Sequence, residues 1–126
     1  MGTTMQPVDV RLCDSFQTAV ELVGKRWTGA IITVLRDGPL RYTQLALAVP
    51  GVSERLLSER LKELEAVGIV VRRVLPGPPV GVEYGLSEAG RDLDKAMDAI
   101  AAWARRWIET GQVGPPARVR GVRTTG

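Results

Sequence analysis

The chain has 126 residues, 17 Lys and Arg against 14 Asp and Glu, no histidine and one cysteine; Arg118, Arg120 and Arg123 carry the whole excess, leaving residues 1–117 neutral. That length makes one domain with a core of its own, and a hydrophobic fraction of 44% excludes disorder of the bulk. With no histidine and one thiol, the commonest general base and Cys-only zinc sites are excluded, so neither an enzyme nor any cofactor or metal is expected.

No apolar run is long enough to span a bilayer and no signal segment opens the chain, so the expected location is cytoplasmic, with no membrane partner. Residues 1–12 carry no clear period, and Pro7 argues against a helix, so they read as a flexible arm. From Ser15, the residues Phe16, Ala19, Val20, Leu22 and Val23 recur at helical spacing until Gly24, with Ser15 or Asp14 as cap. Thr28 can cap a second helix whose Ala30, Ile31, Ile32, Val34 and Leu35 face nearly all round, which places it at the centre of the core; Asp37-Gly38-Pro39 ends it. Leu40-Arg41 is enough for a two-residue strand. A compact helix over Thr43 to Val49 stops at Pro50-Gly51, and a longer one runs from Ser53 to about Val67. Two helices joined by a Pro-Gly turn form a helix-turn-helix candidate. Ile69 to Leu75 is dense in β-branched residues and Val82 to Leu86 alternates, so the uncharged Pro76-Gly77-Pro78-Pro79-Val80-Gly81 between them is the tip of a β-hairpin. Ser87 can cap a last helix reaching Thr110, in which Leu93, Met97, Ile100, Ala104 and Trp107 keep the 3.6 spacing. Residues 111–126 then read as a disordered basic tail, leaving 13–110 as the folded domain.

The order is that of a winged helix-turn-helix: mainly α with a small β-hairpin, an α+β class. Four blocks carry a closer likeness. They are Gly24-Lys25-Arg26-Trp27-Thr28; Asp37-Gly38-Pro39-Leu40-Arg41-Tyr42-Thr43-Gln44-Leu45; Pro50-Gly51-Val52-Ser53 with Leu57-Ser58-Glu59-Arg60-Leu61-Lys62-Glu63-Leu64-Glu65; and Val82-Glu83-Tyr84-Gly85-Leu86-Ser87-Glu88-Ala89-Gly90. In order and spacing they resemble the HxlR-type bacterial transcriptional regulators, relatives of the MarR group, from Leu12 to about Glu109. The resemblance implies a dimer through the terminal helices, double-stranded DNA as partner and no catalysis.

The residues can be read beside that likeness. On the helix from Ser53, a turn of 100° per residue puts Leu57, Leu61 and Leu64 on one side and Arg55, Ser58, Glu59 and Lys62 on the other, with Ser53 and Glu54 at its start. Docked by its leucines, such a helix can enter the major groove: Arg55 to read bases, Ser58 for base or phosphate, Lys62 for phosphate. The competing reading is a solvated face of ordinary charge pairs with Glu59 and Glu63. Thr43 and Gln44 open the preceding helix, where amides and small polar groups hold phosphates, and Arg41 and Tyr42 precede them. Adjacent Arg72 and Arg73 point to opposite faces of their strand, so either is a candidate and one is expected at DNA. Relatives often carry a basic residue just before the Val-Glu-Tyr segment; here that position is Gly81, and the tip lacks a cation of its own.

One recognition helix covers few base pairs, so a homodimer on a pseudo-palindromic operator is expected, its interface built by Phe16, Met97, Ile100, Trp103, Ala104 and Trp107. The competing reading packs the two tryptophans within one subunit. Cys13, expected just before the first helix, is either a redox sensor or a small hydrophobe beneath the dimer helices; some members of the resembled family respond at such a cysteine to oxidants or electrophiles, and a small-molecule effector is the other signal considered. Sequence reasoning thus expects a DNA-binding regulator, a repressor of a neighbouring operon; the other class is a winged-helix protein-interaction module without DNA binding.

Overall fold

Ile31, Ile32 and Leu35 form the centre of the core, together with Leu45, Val49, Leu57, Leu61, Leu64, Ile69 and Val70. In the computed structural model the backbone is described for residues 8–114 and the side chains for 14–114. Within them run α1 (Val8–Gly24), α2 (Thr28–Val34), β1 (Leu40–Arg41), α3 (Tyr42–Ala48), α4 (Glu54–Ala66), β2 (Val70–Leu75), β3 (Gly81–Leu86) and α5 (Glu88–Trp107). The element order is the one expected, and the fold is a winged helix-turn-helix. By its contacts the chain divides into two compact units, Met1–Arg91 and Asp92–Gly126.

In the first unit the strands make an antiparallel sheet in the order β1-β3-β2. Arg41 pairs with Glu83 across β1 and β3, and Glu83 with Arg73 across β3 and β2, so these three residues form a row on one face. Ser87 closes the sheet: its Oγ donates to Gly68 O at 2.6 Å and accepts from Gly90 N at 3.0 Å, capping α5 as expected. Gly90 is demanded by that approach, because a Cβ there would run into the carbonyl oxygen of Ile69.

Three expectations need correction. The first helix begins at Val8, not Ser15, so Val8 to Leu12 are helical where an arm was expected and Cys13 lies inside α1. A proline ahead of a helix is as compatible with its first turn as with a break, which is why Pro7 misled. Thr28 does not cap α2; it is the first residue of that helix, and the cap position belongs to Trp27, in the left-handed region at φ 78°. Third, α2 is not buried all round, since Ala30 is exposed and Val34 half-buried while Ile31 and Ile32 are fully covered. The tail arginines Arg118, Arg120 and Arg123 and the side chain of Cys13 lie outside the described residues.

Apolar side chains at both ends of the chain stay uncovered. In α1, Phe16 is 66% exposed, and in α5, Ile100 is 54% and Trp103 49% exposed. Met97, Ala104 and Trp107 are partly exposed.

Candidate nucleic-acid interface

The helix-turn-helix is set by local chemistry. Gly51 supplies the left-handed turn residue at φ 94° between α3 and α4. Ser53 Oγ then accepts from Leu56 N at 3.1 Å, and Glu54 lies in the first turn of α4, where a negative charge suits the helix end. Leu57, Leu61 and Leu64 are fully buried and seat α4 in the core.

The opposite face of α4 is open, as the 100° geometry requires. Arg55, Glu59 and Lys62 are exposed. Arg55 Nη1 reaches Glu59 Oε2 at 3.2 Å with 85% of its own side chain in solvent. Such an exposed pair is worth a fraction of a kcal/mol and yields readily to a stronger partner. Ser58 is less free than expected. It is half-buried, 3.2 Å from Tyr42 Oη, which itself donates to Glu54 O at 3.1 Å. With the tyrosine proton directed at that carbonyl, Ser58 donates to Tyr42, so α3 and α4 are joined by a directed chain of hydroxyls.

At the start of α3, Gln44 Oε1 accepts from Arg41 N at 2.8 Å, and Thr43 and Gln44 are exposed. In the hairpin, Arg72 and Arg73 project to opposite faces; Arg73 Nη1 stands 3.6 Å from Glu83 Oε1. The residues the sequence put forward for DNA therefore gather on α3, the turn, α4 and the hairpin, all in the unit Met1–Arg91.

One cluster was not anticipated. Arg60, with a side chain only 14% exposed, donates through Nε to Arg26 O at 2.9 Å and pairs with Glu63 at 3.1 Å. Lys25 Nζ meets the same carboxylate at 3.3 Å. These contacts pull the Glu63 carboxyl below its usual range, the Lys25 hydrogen bond first among the causes. Trp27 leans on the other side: its Cη2 would lie 3.4 Å from a Cβ at Gly51, and Arg26 stacks over its ring at 5.0 Å. The elbow between α1 and α2 is thereby fastened to α4 and to the turn before it. The i,i+3 spacing of Arg60 and Glu63 was visible in the sequence; their partners, 34 and 38 residues away, were not.

The family model described as HxlR-like helix-turn-helix matches residues 22–112. The chain belongs to that family. It is 44% identical over 111 residues to the HTH-type transcriptional regulator YodB of Bacillus subtilis (strain 168), covering 88% of this chain and 93% of that protein. The reduced form of YodB superposes with a TM-score of 0.72 at 42% identity, covering 86% of this chain and 99% of the other. YodB has also been solved diamide-treated, with TM-score 0.68 at 45% identity over 75% and 94% of the two chains. Its quinone-bound structure gives TM-score 0.67 at 40% identity over 75% and 99%. A MarR-family regulator from Enterococcus faecalis V583 gives TM-score 0.71 at 26% identity over 86% and 94%. HxlR-like proteins are DNA-binding transcriptional regulators of the winged helix-turn-helix type, MarR-like in fold, and not enzymes. No helix among the described residues is long and apolar enough to cross a membrane.

Proposed function

We propose that this HxlR-like regulator is a homodimeric repressor that places α4 of each protomer in the major groove of a pseudo-palindromic operator. The observation that carries the reading is the leucine-seated α4 with Arg55, Glu59 and Lys62 on its open face. Arg55 reads base edges, Lys62 holds phosphate, and Thr43, Gln44 and the hairpin arginines fix the register on the backbone. The dimer draws on Phe16, uncovered on α1, and on the apolar stripe of α5 with Met97, Ile100, Trp103, Ala104 and Trp107.

Cys13 is the sensor in this reading. Its support is the likeness to YodB, a protein solved both after diamide treatment and with quinone bound. Lacking a second thiol in the chain, Cys13 would form a mixed disulfide, a disulfide with the partner protomer, or an electrophile adduct. Cys13→Ser should keep DNA affinity and abolish its loss under diamide or quinone; equal sensitivity of both proteins would remove Cys13 from the mechanism.

Selection of bound fragments from random DNA tests the core of the proposal. A twofold-symmetric consensus is expected, with affinity that falls steeply with salt. An absence of binding at low salt would overturn the reading.

A further inference from the structure

Gly81 opens β3, yet its backbone is not in the left-handed region that makes glycine necessary at Gly51 or Gly77. Any L residue could adopt its conformation. What glycine leaves there is room, and that room is filled. Arg41 Nη1 lies 2.6 Å from where a Gly81 Cβ would stand, with Cζ at 3.3 Å and Nη2 at 3.8 Å. The register explains the reach. Arg41 pairs with Glu83, and Gly81 is the next residue of β3 on that face, one step toward the hairpin tip. Glu83 already has a cation in Arg73, so the Arg41 guanidinium extends past it along the strand. The segment from Pro76 to Gly81 has no charge of its own.

We propose that Arg41 supplies the cation that the hairpin's tip segment lacks: β1 lends its guanidinium to the root of β3, Gly81 makes the space, and there it holds a DNA phosphate beside the groove that α4 enters. This rests on the DNA-binding reading given above. Arg suits the role because its planar fork keeps N–H donors free for phosphate oxygens while one edge packs on the strand. Gly81 is then a positioning residue and Arg41 the contact.

The test is binding of the full chain to a fragment selected by the wild-type protein, followed by fluorescence anisotropy over a range of salt. Arg41→Ala should weaken every sequence alike, by about tenfold, and lower the slope of log affinity against log salt by about one per protomer. Helix α3 survives this change because its Gln44 cap is bonded to the Arg41 backbone, not the side chain. Gly81→Ala keeps the charge but displaces the flexible end of Arg41, so it should weaken binding less, and add nothing in the Arg41→Ala background. Gly81→Arg in that background should restore both affinity and slope. Additive losses, or an unchanged salt slope with Arg41→Ala, would overturn the proposal while leaving the DNA reading intact. Failure of the wild-type protein to bind any DNA would overturn both.

Discussion

Thr28 buries a hydroxyl that has no hydrogen-bond partner among the described residues. A lone buried hydroxyl costs more than a methyl of the same shape, so Thr28→Val should leave stability equal or raise it, by up to about 1 kcal/mol, in urea denaturation. On α4, Arg55→Ala should cost about 1–3 kcal/mol of DNA binding and relax sequence preference, while Lys62→Ala should weaken all sequences alike. Competition with operator variants separates the two. The residues of this face were legible because a helix's period fixes its sides whatever packs around it. The state of Ser58 was not, since its partner Tyr42 lies 16 residues away and meets it only when α3 and α4 cross. On the proposed DNA reading that partner matters: a serine that gives its proton to Tyr42 would present lone pairs to DNA and so suit an amino group of adenine or cytosine better than a phosphate.

At the scale of elements, capping and turn residues made the sequence readable from Ser53 onward. Ser53 and Ser87 both cap where expected, and Ser53→Ala should lower stability by about 0.5–2 kcal/mol in chemical denaturation. The sequence was least legible at the α1–α2 elbow. Nothing local announces a tryptophan at φ 78°, a conformation costing about 1–3 kcal/mol that only surrounding contacts can hold. Among those contacts, Glu63 titrates. Its folded pKa lies below the ordinary 4.5, so its stabilising share is present above that value and is lost as pH falls through the lowered pKa. Glu63→Gln should therefore melt below the wild-type temperature at pH 7, with the gap closing in acid below pH 4.5. A gap constant with pH would mean that the carboxylate's charge is not what acts.

For the whole molecule, the proposed dimer rests on the exposed apolar residues of α1 and α5. Phe16→Asp and Ile100→Asp should each yield a monomer in sedimentation velocity with far-ultraviolet circular dichroism preserved, because neither side chain is covered among the described residues. Removal of residues 115–126 takes away the net charge of the chain and should reduce salt dependence more than sequence preference. The neutral balance of the rest hid its polarity: the helical period already sets Arg55 and Lys62 on one open face, whereas the reach of Arg41 to Gly81 is disclosed only by the fold. The elbow also predicts a pattern of mutational tolerance. Arg60 grips position 26 by its backbone carbonyl, a group every amino acid carries, whereas Glu63 grips Lys25 by its side chain. In a saturation scan read by DNA binding, position 26 should accept most residues, position 25 should favour cations, and position 60 should reject even lysine, which cannot donate to the carbonyl and the carboxylate through one planar fork.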